Sequence, residues 1–203
     1  MPAIEFWYSI GSTYTYLTVS RLRGYAERHG VEFDWKPFDV RAIMVEQKNV
    51  PFADKPVKFA YMWRDLERRA QLYDLPVTLP APYPIENLAL ANQVALLGMG
   101  EGWGIGYTVE TYRRWFVRGE PAGSEPNLSA TLTALGLDAP DVIARANAPE
   151  AAKALQNQTA EGRDRGVFGA PTFIVGDEVF WGDDRLDDAV AWARAGQLSP
   201  KQA

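Results

Sequence analysis

The sequence predicts an α/β fold whose sheet is assembled from the two ends of the chain, with a large helical insertion between them. Three observations carry this reading. Strand-like segments occur near both ends, the first two bracket an amphipathic helix, and the last two flank a Gly-Asp turn ahead of a closing helix. The 203 residues, 47% hydrophobic and 23% charged, provide enough apolar material for a substantial core and argue against disorder.

The opening run IEFWYSI is apolar and aromatic, and it reads as a buried strand that stops at Gly11. A helix is expected over Thr13–His29, where Leu17, Leu22, Tyr25 and Ala26 recur at three- to five-residue spacing. His29 before Gly30 is a helix stop signal, because an imidazolium suits the helix C-terminus and glycine accepts the left-handed turn that follows. Val31, Phe33 and Trp35 then alternate with Glu32, Asp34 and Lys36, a second strand cut off at Pro37. Residues 41–159 show no such alternation and read as an inserted helical domain, with helices over 55–75, 85–100, 109–119 and 127–137. PVTLPAPYP separates the first two as an extended connector. The glycines of 98–106 lack the G-x-G-x-x-G spacing of a phosphate loop and are expected to form a flexible turn between helices. Residues 1–40 and 160–203 make up the sheet-bearing domain. In its second half, Thr172–Val175 and Glu178–Trp181 form a hairpin around Gly176-Asp177, and Asp183 or Asp184 caps the closing helix. The order βαβ…ββα with a large helical insertion is the thioredoxin-like arrangement.

Composition removes several function classes. A net charge of −5 with mixed signs gives no electrostatic footprint for nucleic acid. No apolar run approaches the ~20 residues that span a bilayer, so no membrane partner is expected. Met1 leads straight into strand-like sequence without a leader pattern, and the expected compartment is cytoplasmic. With no cysteine and a single histidine, the chain has no thiolate of its own, no Cys-based zinc site and no basis for a Ser-His-Asp triad.

Two corners carry the candidate chemistry. Ser12 opens a helix, where unpaired N–H groups and the positive dipole end collect, so its hydroxyl is either a cap or part of an anion and thiolate site. In VFGAPTF, Pro171 either starts the next strand in trans or forms a cis bond that leaves a backbone edge at Ala170 open. The βαβ opening and the following hairpin favour cis.

GSTYTYL sits where DsbA-type proteins carry C-P-x-C, and GAPTF sits where they carry their cis-proline loop. Together with NVPFADKPVKFAYMWRDLERRAQLY (49–73) and VFGAPTFIVGDEVFWGDDRLD (167–187), these segments make the chain resemble the cysteine-less branch of that superfamily. The branch comprises 2-hydroxychromene-2-carboxylate isomerases and kappa-class glutathione transferases. The resemblance implies glutathione as cofactor, a small aromatic carboxylate as substrate, a homodimer, and a role in aromatic catabolism. It implies that Ser12 contacts the glutathione sulfur and favours its thiolate. Ala170 and Pro171 would pair with the cysteinyl part, Asp183 and Asp184 would hold the γ-glutamyl end, and Asn49 and Lys58 would meet the backbone and the glycyl carboxylate. Tyr61, Arg64 and Trp181 are substrate candidates, with Lys55 and Asp65 nearby, and Trp7 or Tyr8 either lines the pocket or belongs to the core. One departure stands out: Thr13 follows the serine where the family usually has proline. Two other functions fit the same motifs, a kappa-like glutathione transferase or peroxidase and a redox-inactive module that binds peptide at the Ala170–Pro171 edge.

Overall fold

A computed structural model describes residues 3–49, 52 and 54–199. β1 (Ile4–Tyr8) pairs in parallel with β2 (Phe33–Pro37), and α1 (Thr13–His29) forms the crossover between them. β3 (Thr172–Val175) joins the other side of β1 antiparallel, and β4 (Glu178–Trp181) completes a four-stranded sheet in the order β2-β1-β3-β4. The βαβ…ββα reading therefore holds. β1 lies inside this sheet and its Phe6, Trp7 and Tyr8 are fully buried, which explains why it reads as a continuous apolar run. Trp7 and Tyr8 are core residues, and the Tyr8 hydroxyl is hydrogen-bonded to Thr108 at 2.8 Å.

The helices of the insert are α2 (Val40–Glu46), α3 (Pro56–Leu72), α4 (Leu88–Glu101), α5 (Gly104–Arg118), α6 (Asn127–Ala134), α7 (Ala139–Ala146) and α8 (Pro149–Asp164). Three of them, α2, α7 and α8, are additional to the helices expected from sequence. α8 crosses residue 160 and packs on α4 and α2 as well as on β2. α9 (Leu186–Ala195) closes the described chain against β1, β3 and β4. The proline-rich connector is neither helix nor strand and, unlike the extended segment expected, bends at Leu79-Pro80 and at Pro84, with cis bonds at Leu79–Pro80 and Tyr83–Pro84. Trp115 Nε1 pins it by donating to Pro82 O at 2.7 Å.

Two further expectations need correction. Segment 98–106 is not a flexible turn: Gly98 and Gly100 lie inside α4, Gly104 and Gly106 inside α5, and only Gly102-Trp103 turns. Two of its glycines serve close packing, since a Cβ on Gly98 would lie 2.5 Å from Trp103 Cε3 and one on Gly104 2.5 Å from Met99 N. Nor does Asp183 or Asp184 cap the closing helix, because both fall in a single 3₁₀ turn, Asp183–Arg185, and Arg185 takes the N-cap position of α9. His29 ends α1 as expected, stacked on Tyr25 with ring centroids 4.1 Å apart, and Gly30 follows with φ 59°. Among the described residues, no helix is long and apolar enough to cross a membrane.

Candidate active site

The turn from β1 into α1 is held from three sides. Asn92 of α4 clamps Ile10 at both backbone groups: its Oδ1 accepts from Ile10 N at 2.8 Å and its Nδ2 donates to Ile10 O at 2.9 Å. The Tyr112 hydroxyl of α5 lies 2.8 Å from Ser9 O and 3.1 Å from Ser12 O. Gly11 adopts φ 134°, and a Cβ there would lie 2.4 Å from Leu88 Cδ1, so only glycine fits at the corner. Thr13, in place of proline, is the first residue of α1, and its Oγ1 lies 3.2 Å from Met62 Sδ of α3. The corner thus forms without the proline.

Ser12 stands at the N-cap position with φ −84° and ψ 123°, but its side chain caps nothing. Instead Ser12 Oγ donates to Ala170 O at 2.8 Å, across 158 residues of sequence. The Ala170–Pro171 peptide is cis, as expected. The loop is tied to the end of β4 by Gly182 N, which donates to Pro171 O at 2.9 Å. Ala170 O is thus occupied by Ser12, whereas Ala170 N–H has no backbone acceptor among the described residues.

Beside this loop opens a cavity of about 420 Å³, within the range of small-molecule sites. Ala170, Pro171, Trp181, Asp183 and Asp184 line one wall, and Tyr14, Tyr61, Asp65 and Arg69 line the other. The second wall follows from helical spacing. Met62, Leu66 and Ala70 bury one stripe of α3, so Tyr61, Asp65 and Arg69, each one residue earlier, flank that stripe and face the cavity. Tyr14 Oη donates to Asp65 Oδ2 at 3.0 Å and joins α1 to α3. Burial and the Asp65 carboxylate both push the Tyr14 pKa upward, and the Arg69 charge partly opposes them.

The two adjacent aspartates differ sharply. Asp183 is 5% exposed, and its Oδ1 accepts from Thr18 Oγ1 at 2.7 Å and from Arg21 Nη2 at 2.8 Å. Arg21 in turn stacks on the Tyr73 ring at 4.2 Å. The Asp184 side chain is 46% exposed and, among the described residues, pairs only with its neighbour Arg185. Asp183 Oδ1 fastens the 3₁₀ turn to α1 while its buried Oδ2 has no partner among the described residues, and Asp184 is the more exposed carboxylate of the two.

Of the sequence candidates, Ser12, Ala170, Pro171, Asp183, Asp184, Tyr61 and Trp181 come together around the loop and cavity. Asn49, Lys58 and Arg64 are not among the residues that line it. Asn49 is exposed just beyond α2, Lys58 Nζ lies 5.9 Å over the Phe52 ring, and Arg64 is ion-paired with Glu67. Tyr14 and Arg69 were not anticipated, although the spacing 61, 65, 69 on α3 was a readable signal for Arg69. Among the described residues, no group of three His, Cys, Asp or Glu stands close enough to hold a metal ion.

Residues 3–191 match the family described as DSBA-like thioredoxin domain. Over 186 residues the chain is 29% identical to 2-hydroxychromene-2-carboxylate isomerase of Sphingobium xenophagum, covering 91% of this chain and 94% of that one. It is 27% identical to glutathione S-transferase kappa 1 of Caenorhabditis elegans, covering 92% and 88%. Among solved structures, a 2-hydroxychromene-2-carboxylate isomerase superposes with a TM-score of 0.82 at 26% identity, covering 97% of this chain and all of that one.

Proposed function

Since the chain belongs to the family of DSBA-like thioredoxin domains, we propose that its cysteine-less site works on a thiol brought by a ligand. The chain is an enzyme of isomerase type, and the reading is a glutathione-dependent isomerase of 2-hydroxychromene-2-carboxylate, yielding trans-o-hydroxybenzylidenepyruvate. The observation that carries it is the Ser12 hydroxyl, held at the start of α1 against the carbonyl of the cis-proline loop, in a chain without cysteine.

The residues present suit a thiol peptide. Ala170 N–H offers a donor to a ligand main chain, in the manner of an added strand. The cavity beyond it presents charged groups of both signs. Bound glutathione supplies the thiol nucleophile that the chain lacks. Ser12 has one proton to donate, and here that proton goes to Ala170 O. Holding a thiolate requires the O–H to turn from that carbonyl toward the sulfur. The first-turn amides of α1, which have no side-chain cap, add positive potential at the same place. Asp184 serves the γ-glutamyl end, and Asn49 and Lys58 serve the glycyl end. Tyr61 and Trp181 border the site with aromatic surface, Trp181 being 55% exposed. No histidine base takes part, because His29 lies at the opposite end of α1. A cytoplasmic homodimer acting on small aromatic carboxylates completes the reading.

The test is absorbance-monitored isomerisation of the chromene carboxylate with and without glutathione. Turnover is expected only with glutathione, and Ser12→Ala is expected to lower it about 100-fold, the scale of losing one donor to a developing anion. Turnover that ignores glutathione would overturn the cofactor, and an unimpaired Ser12→Ala enzyme would overturn the role of Ser12. The kappa relative favours a second reading, a glutathione transferase. It predicts that glutathione is consumed stoichiometrically, whereas the isomerase returns it.

A further inference from the structure

Arg69 is the one cation among the residues that line the cavity. It lies half-buried in the last turn of α3. Its guanidinium makes no hydrogen bond or ion pair with any described residue, yet every acid around it is engaged. Asp65 takes the Tyr14 hydroxyl and lies 3.7 Å from Arg68, Asp183 takes Thr18 and Arg21, and Asp184 takes Arg185. The other arginines of α3 have partners too, Arg64 on Glu67 and Arg68 on Asp65. A planar fork of donors left open beside a concave site is suited to a carboxylate, which it can bind through two parallel hydrogen bonds.

The charges around Arg69 narrow the ligand further. Three carboxylates and one guanidinium line the cavity, so it offers hydrogen-bond acceptors as well as the open Arg69 donors. A group carrying both an ammonium and a carboxylate satisfies both signs at once. The exposed Asp184 and the part-exposed Asp65 keep lone pairs for the ammonium, and Arg69 has none of its donors committed. The Ala170–Pro171 edge, whose Ala170 O accepts from Ser12, lines the same cavity as Arg69, so one extended ligand can meet both.

We propose that Arg69 is the specificity-determining residue for the α-carboxylate of a γ-glutamyl thiol, with Asp184 and Asp65 taking the α-ammonium. The assignment rests on the glutathione reading and sharpens it. The site selects thiols with an intact amino-acid head, and Arg69, not Arg64, supplies the cation.

The experiment is a two-by-two binding cycle, read by tryptophan fluorescence at equilibrium or by calorimetry, with no turnover needed. Wild type and Arg69→Gln are each titrated with glutathione and with 4-aminobutyryl-cysteinylglycine, which lacks only the α-carboxylate. Arg69→Gln is expected to weaken glutathione about tenfold or more, the scale of a charge-assisted pair, and to leave the affinity of the des-carboxy analogue unchanged. Arg69→Lys should recover part of the glutathione affinity. Equal weakening of both ligands, or weakening of neither, overturns the role of Arg69. Absence of glutathione binding to wild type instead overturns the cofactor reading itself, and this inference with it. Unchanged melting temperatures of the variants confirm that the cycle reports on binding.

Discussion

At the scale of single residues, the site depends on which polar groups are already satisfied. Asp183 is a buried carboxylate held by Thr18 and Arg21, and removing one partner of such a pair costs far more than the pair contributes. Arg21→Met is therefore expected to cost about 3–5 kcal/mol in urea denaturation, because it strands a buried charge. Ser12→Ala loses only one partly buried hydrogen bond, and its stability should fall by about 1 kcal/mol. Ser12 and Ala170–Pro171 were legible in the sequence because each is a local signature, a small residue at a strand-to-helix corner and a proline ahead of a strand. Arg69 was legible in principle. Arg64–Glu67 and Asp65–Arg68 are i,i+3 pairs that could be read from spacing, and striking them out leaves Arg69 over. Tyr14 was not legible, because its partner Asp65 lies on another helix and only packing brings the two together. The same holds for the contrast between Asp183 and Asp184, neighbours that only burial separates.

At the scale of elements, the sequence was most readable where apolar spacing was regular and least readable where helices bury small or polar side chains. α8 buries Leu155, Thr159 and Gly162, too thin a stripe to stand out among sixteen mostly polar residues. Its packing is nevertheless close: Thr159 Oγ1 accepts from Asp39 N at 3.0 Å, and Gly162 lies against the Trp7 ring. A Cβ on Gly162 would lie 2.8 Å from Trp7 Cζ3. Gly162→Ala should cost about 1–3 kcal/mol, as overpacking does, even though alanine is the better helix former. A thermal melt checks this, and a stabilised variant would show that α8 can lift from β1. α2 and α7 carry their signals in the N-caps, Asp39 and Asp138, whose side chains accept from first-turn amides. Caps of this kind are common in loops as well, so without a long apolar stripe behind them they do not announce a helix.

At the scale of the whole molecule, the core holds several buried phenols. Tyr8, Tyr107 and Tyr112 are fully buried, and burial pushes the pKa of each upward. In the unfolded chain they ionise near pH ~10. Below that pH both states hold the proton, and stability is at its full value. Above it the unfolded state alone releases protons, so stability falls as pH rises. Denaturation midpoints should be flat from pH 7 to 9 and drop beyond pH ~10. The tyrosinate absorbance of the buried phenols should rise together with loss of structure and not before it. The overall architecture was legible because the two ends of the chain carry the alternation and the hairpin, and the middle carries neither.

The position of β1 inside the sheet has a consequence for how the protein is made. One neighbour, β2, emerges from the ribosome soon after β1, but the other, β3, is synthesised only after the entire helical insert. Until then the unpaired side of β1 presents open backbone groups flanked by Phe6, Trp7 and Tyr8, a template for pairing with the wrong chain. The α4–α5 and α5–α6 contacts are local and form early, so the insert can be compact while the sheet is still half-built. The time a ribosome spends on the insert sets how long a nascent chain depends on chaperones to shield that edge.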